Sequence, residues 1–342
     1  MVKKRNTCYN IQQVFLFSVM KKAAGDRRQG RGTMKKSVFR AAVSLVLGAA
    51  LFFAMAVQPA AAESYYVENE WNYVDGSIDS NHGIPENATG VLDRIRRKGV
   101  LRVATEPYFA PFEFIDPEQL DPQRKYAGAD MKLAELIADR MGVELQIVPL
   151  EFTQVLPALT ENQCDLTISA IAFTPSRASA YAMSKGYYFP ETSASTAFVI
   201  REENRENITS LEDLADKTII VQSSSLQEAL ASKHIINYKE FRRVSSVQAV
   251  YEAVRKGRAD AGVVDMETAS NYIRNNADAG LILADNLYFA LEEQFLGHRI
   301  VAKKGELQLI YFVNDVIDEV LENGTYLKWI EEAQKRADEL GL

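Results

Sequence analysis

Cysteine and histidine are scarce: among 342 residues there are two cysteines, Cys8 and Cys164, and three histidines, His82, His234 and His298. Cys8 precedes a predicted cleavage point, which leaves Cys164 alone and excludes an intramolecular disulfide even in an oxidising compartment. Cys164 sits where a helix pattern gives way to a strand pattern, so it is expected to be a packed, inert thiol and not a nucleophile. The histidines lack metal-ligand spacing, and neither a metal site nor another cofactor is expected. A Ser-His-Asp or Cys-His arrangement and a glycine-rich phosphate loop are also missing. A binding protein needs none of these groups, and the expectation is a binder and not an enzyme.

Positive charge is short as well, at 39 Lys and Arg against 46 Asp and Glu. Residues 1–62 hold eleven of the basic and one of the acidic residues, so the rest of the chain carries 28 against 45, a net charge of −17. Phosphate binding needs a clustered basic surface, so nucleic acid is excluded as a partner. What the chain does have is core material: it is 47% hydrophobic and 10% aromatic. That is enough for about two globular domains.

The N-terminal part reads as a targeting segment. Met34-Lys-Lys-Ser-Val-Phe-Arg40 is basic, residues 41–57 are uncharged and apolar, and Gln58-Pro-Ala-Ala-Ala62 supplies small residues. Residues 34–62 therefore form a secretory signal peptide; an uncleaved membrane anchor is the competing reading. No cysteine follows the apolar run, so no lipoprotein anchor is expected. Residues 1–33 are an upstream extension or a misassigned start, with translation beginning at Met34; the short run 14–20 as its own signal is the weaker alternative. Residues 63–90 form a polar extension, either packed in part on the body through Tyr65, Tyr66, Trp71 and Tyr73 or a mobile tail.

From Val91 the pattern alternates. Helices are predicted at 91–98, 129–141 and 153–162, and strands at 100–105, 143–150 and 165–171. A strand at 195–200 leads to a second block, with strands at 218–222, 239–244, 261–265 and 280–285 and helices at 225–232, 246–256 and 267–276. A strand at 298–303 and helices at 306–322 and 326–340 close the chain. The class is α/β, with a parallel sheet covered by helices. Ligands of such sheets bind beyond the carboxyl ends of strands. That points to loops 106–114, 170–177 and 223–225, and to Arg177 and Asp265 at strand ends in separate blocks.

Seven segments carry a family resemblance: Ala104-Thr-Glu-Pro-Tyr-Phe-Ala-Pro-Phe-Glu-Phe114, Tyr126-Ala-Gly-Ala-Asp-Met-Lys-Leu133, Leu156-Pro-Ala-Leu159, Thr174-Pro-Ser-Arg177, Ser210-Leu-Glu-Asp-Leu214, Gly257-Arg-Ala-Asp260 and Asn323-Gly-Thr-Tyr326. In this order and spacing the chain, over residues 91–335, resembles the family 3 periplasmic solute-binding proteins for amino acids. The resemblance implies a type II bilobal clamshell, with lobe 1 at 91–190 and 295–342, lobe 2 at 191–294, and hinge crossings near 189–194 and 291–297. It implies a periplasmic monomer that captures an amino acid and delivers it to the membrane permease of an ABC transporter. By the same resemblance Arg177 grips the ligand carboxylate, Asp265 the ammonium, Phe109 and Phe152 sandwich its side chain, and Glu106 reaches its distal end.

The chain departs from the family where hydroxyls are usual: Ala170 and Ala172 stand near the arginine, and Ser224-Ser225-Leu226 keeps Ser225 but loses the last hydroxyl. The ligand is expected to be a polar or basic amino acid. Two rivals share the fold: a cyclohexadienyl dehydratase, with Glu106 or Glu151 as its acid, and a ligand-sensing partner of a signalling receptor.

Overall fold

In the first of two five-stranded sheets, β1 (Val100–Thr105) lies between two parallel neighbours, β5 (Glu144–Pro149) and β6 (Leu166–Thr167). The computed structural model describes residues 76–190, 194–292 and 295–342, all within one unit, Asn69–Leu342. The signal peptide, the upstream extension and residues 63–75 lie outside the described residues. β13 (His298–Lys303) and β7 (Tyr181–Tyr188) complete the sheet, in the order β5-β1-β6-β13-β7. The second sheet has the order β10-β9-β11-β8-β12, with β8 (Ala194–Arg201), β9 (Thr218–Gln222), β10 (Glu240–Val244), β11 (Ala261–Asp265) and β12 (Leu281–Ala290).

The expectation of a purely parallel sheet is corrected here. β13 runs antiparallel to β6 and β7, and β8 runs antiparallel to β11 and β12. The reason lies in the connections: β7 leads to β8 through residues 189–193 and β12 to β13 through 291–297. Among the described residues of these crossings there is no α-helix to bring the chain back in the parallel sense. Helices cover the sheets: α1 (Gly90–Lys98), α2 (Ala129–Met141), α9 (Leu307–Glu322) and α10 (Thr325–Leu340) on the first, and α6 (Leu226–His234), α7 (Val247–Arg255) and α8 (Met266–Asn275) on the second. Alternation along β9 sends Ile219 and Val221 to one face and Ile220 to the other, and both faces are buried.

Two further elements differ from expectation. The helix predicted at 153–162 is broken into α3 (Phe152–Val155) and α4 (Pro157–Thr160), because Pro157 has no N–H for a continuous ladder. The strand predicted at 165–171 stops at Thr167. Ala170 has φ 44°, a left-handed conformation no strand accommodates, and its N–H turns to Asp130 Oδ2 at 2.9 Å. Beyond it lies α5 (Pro175–Ala180), capped by Thr174 Oγ1, which accepts from Arg177 N at 3.1 Å.

A small sheet of β2 (Tyr108–Phe109), β3 (Glu113–Ile115) and β4 (Tyr126–Ala127) stands beyond β1. Gly128, after β4, has φ 118°, and a Cβ there would lie 2.1 Å from Phe112 O. Both the backbone angle and the contact require glycine. Gly128→Ala should destabilise the protein by about 1–3 kcal/mol, read as a lower midpoint in urea with an unchanged slope. Residues 76–82 pack on α9, where Asn314 Nδ2 donates to Gly76 O and Ser80 N donates to Asp315 Oδ2, at 2.9 and 2.8 Å. Cys164 is buried, and burial pushes its thiol up to about 11, a poor nucleophile.

Candidate functional site: a cleft between the two sheets

The carboxyl ends of β1, β6, β9 and β11 face one cavity of about 90 Å³. The cavity gathers all eight residues singled out above. Glu106, Phe109, Phe152, Ala170, Ala172 and Arg177 come from the first sheet's side, and Ser225 and Asp265 from the second's.

Arg177 is half-buried beside Phe152, its guanidinium carbon 5.9 Å from the ring centre. Its Nη1 donates to Ala172 O at 2.7 Å and its Nη2 to Ser224 O at 2.9 Å. That uses two of five N–H donors. Burial lowers its pKa to about 10, so it remains a cation at neutral pH. Among the described residues no carboxylate pairs with it.

Asp265 ends β11 and caps α8, its Oδ1 accepting from Thr268 N at 2.9 Å. Burial nevertheless pushes its carboxyl up to about 6. The capping role separates two substitutions. Asp265→Ala should lose about 1 kcal/mol of stability and Asp265→Asn only a few tenths, because asparagine also caps. Thermal melts of both variants without ligand check this.

Glu106 is only 2% exposed, and burial raises its pKa to about 7, although Gln222 Nε2 donates to its Oε1 at 2.8 Å. No cation pairs with Glu106 or Asp265 among the described residues. The cleft therefore holds one arginine without an anion and two carboxylates without a cation.

The alanines act through their backbones: Ala172 O holds Arg177, and Ala172 bridges to His298. Ser225 lines the cavity, but its hydroxyl is engaged locally, donating to Gln222 O at 2.7 Å and accepting from Glu228 N at 3.0 Å. Its side chain is thus the N-cap of α6, whose first residues, Leu226 and Gln227, face the cavity.

Sequence reasoning missed several groups here. Gln222, the last residue of β9, reaches across to Glu106. Ser169 accepts from Glu106 N at 3.0 Å and donates to Glu113 Oε1 at 2.9 Å. Glu113 is buried, and burial together with the neighbouring Asp130 carboxylate holds its carboxyl well above the usual carboxylate range. Asp130 in turn receives Tyr326 and Tyr187 hydroxyls at 2.6 and 2.7 Å, which locks the Ala170 turn. The only signal for Glu113 and Asp130 was their place inside the motifs 104–114 and 126–133.

Further bonds join the two sides. Tyr188 donates to Glu267 Oε2 at 2.7 Å, Gln248 Nε2 to Tyr108 O at 2.7 Å, and Asn271 Nδ2 to Gln334 Oε1 at 2.7 Å. With Glu106–Gln222 and Arg177–Ser224 these describe a closed cleft.

Residues 101–333 match the bacterial extracellular solute-binding proteins, family 3. The chain belongs to that family. The L-cystine-binding protein TcyJ of Escherichia coli is 24% identical over 236 residues, covering 69% of this chain and 83% of the relative. The arginine-binding extracellular protein ArtP of Bacillus subtilis is 26% identical over 232 residues, 66% of this chain and 83% of the relative. An amino acid ABC transporter substrate-binding protein of Streptococcus pneumoniae, solved with L-arginine, superposes with a TM-score of 0.64 at 29% identity, covering 72% of this chain and 98% of that one. This family 3 chain therefore has the type II clamshell fold, and the relatives named are binding proteins.

Proposed function

We propose that this family 3 protein captures a cationic amino acid, L-arginine before others, between its lobes and presents the closed form to a membrane permease. The class of function follows from the family and its relatives: the chain is the substrate-binding component of an amino-acid ABC transporter and not an enzyme. The observation that carries the finer reading is the unpaired charge in the cleft. An amino-acid carboxylate completes Arg177, bidentately through N–H groups still unused. The ammonium completes Asp265, and a distal cation completes Glu106 beside the faces of Phe109 and Phe152. Arginine relatives named above point the same way.

In this reading the lobes are 91–190 with 295–342 and 191–294, turning about the crossings at 189–194 and 291–297. The ligand favours the closed state through contacts with both lobes that the open state lacks. The protein works as a monomer in the periplasm, sent there by residues 34–62.

The test is calorimetric titration as a function of pH. A cationic ligand requires ionised carboxylates, whose pKa values without ligand are raised to about 7 for Glu106 and about 6 for Asp265. Arginine affinity should therefore rise with pH, by about tenfold per unit for each proton displaced, or about 10³-fold from pH 5 to 8. Glutamine, which needs only Asp265, should gain about tenfold over the same range. A flat arginine profile would remove Glu106 from the site. The same shifts act on the free protein. Folded pKa values above the unfolded 4.5 and 3.8 make the unliganded protein lose stability as pH rises towards about 7 and 6.

A further inference from the structure

The helix that Asp265 caps inside the cleft ends against the other body. α8 has ten residues, a length of about 15 Å. It belongs to the body of the second sheet, where Ala269 is buried with Val199 and Val264. Its last two turns meet α10, which is fixed to the body of the first sheet: Ala333 and Ala337 pack with Phe114, and Arg336 holds Asp116 through bonds of 2.8 and 2.9 Å.

Four side chains close a ring of hydrogen bonds where the helices meet. Arg274 Nη2 donates to Asp338 Oδ1 at 2.9 Å, and Asn271 Nδ2 donates to Gln334 Oε1 at 2.7 Å; both bonds cross from α8 to α10. The other two lie within one helix each: Arg274 Nη1 donates to Asn271 Oδ1 at 3.0 Å, and Gln334 Nε2 to Asp338 Oδ1 at 2.8 Å. Asn275 Nδ2 adds a third crossing bond to Asp338 Oδ1, at 3.0 Å. Bonds from Asn275, Arg274 and Gln334 hold the Asp338 carboxyl below its usual range, so it is an anion at neutral pH.

Arg274 and Asp338 side chains are 54% and 41% exposed, and a lone pair so exposed gains little, because two long side chains must be ordered to make it. Here that ordering is already made. The bond to Asn271 sets Arg274 on α8, and the bond to Gln334 sets Asp338 on α10, whether or not the helices touch. We propose that Asn271, Arg274, Gln334 and Asp338 form a latch outside the cleft, positioning residues whose ring closes only when the two bodies meet and which raise ligand affinity without touching the ligand. This rests on the clamshell reading. Turning the bodies apart about 189–194 and 291–297 separates α8 from α10 and breaks the crossing bonds, so the latch adds its free energy to the closed form alone. Ligand affinity scales with the share of molecules that close, and the latch raises that share.

The test uses Asp338→Ala in the mature protein, with L-arginine as probe. Affinity should fall about three- to fivefold, through faster dissociation with association unchanged. The unliganded melting temperature should stay where it is, because the open form lacks the crossing bonds. Arg274→Ala should act alike, and the double variant should lose no more than either single one. Unchanged affinity, or tighter binding, would overturn the proposal. A second arm needs no amino acid: Asn271→Cys with Gln334→Cys, joined by a short bismaleimide, should show a smaller radius of gyration in X-ray scattering than the same variant unjoined. Cys164 is buried and does not compete. An equal radius would overturn the latch, since the contact would then persist in the open form. The two readings fail separately. Compaction of the joined variant in a protein that binds no arginine contradicts only the cleft ligand, and arginine binding that ignores Asp338→Ala contradicts only the latch.

Discussion

Arg177→Ala should weaken L-arginine binding by at least about 100-fold, while unliganded stability changes by less than about 1 kcal/mol. Removing one member of a buried charge pair costs about 2–5 kcal/mol, because the other charge stays buried without a partner. Here the stranded group is the ligand carboxylate. Neighbours do little to replace the arginine: Ala170 and Ala172 carry no hydroxyl, and the Ser225 hydroxyl is taken by Gln222 O and Glu228 N. The stability effect is small because the arginine has no carboxylate partner to leave behind, only the carbonyls of Ala172 and Ser224. Arg177→Lys keeps the charge but not the planar fork, so its affinity should fall between the two. Calorimetry paired with thermal melts reads both quantities. Retained affinity in Arg177→Ala would remove this residue from the site.

Glu106→Gln should cut arginine affinity by about 30- to 100-fold, leave glutamine within about threefold, and abolish one proton's worth of the arginine pH slope. An uncharged amide of the same shape still meets Gln222, so the loss is confined to the distal cation. The free protein should become no less stable, since a buried carboxylate raised to about 7 is replaced by a group with no ionisation to suppress. Equal losses for arginine and glutamine would mean that Glu106 shapes the cleft without reading charge.

The helices and inner strands were legible because their periodicity is strong. The Ala129–Met141 helix and the strands Val100–Thr105 and Ala261–Asp265 fall where the pattern placed them. Errors cluster where one residue overrides a pattern: Pro157 splits a helix and the left-handed Ala170 ends a strand. Antiparallel strands at the crossings escaped because direction along a sheet depends on the connection, and local patterning holds no record of it. Arg177, Asp265 and Glu106 were found as charges at strand ends. Gln222 and Glu113 were not, since their roles arise only when separate segments meet: a glutamine on β9 reads as an ordinary end of strand, and Glu113 looks like a surface residue until Asp130 and Ser169 enclose it. Ser225 lines the cavity, yet the fate of its hydroxyl is a matter of helix capping that its neighbours decide.

The central claim is that the unpaired charges of the cleft read a cationic amino acid. The measurement that tests it most directly is titration of the protein, unfolded and refolded to strip any bound solute, with L-arginine and with L-glutamate at pH 8. Saturable one-to-one binding of arginine with no measurable heat from glutamate is the expected result. Tight binding of glutamate with none of arginine would contradict the account.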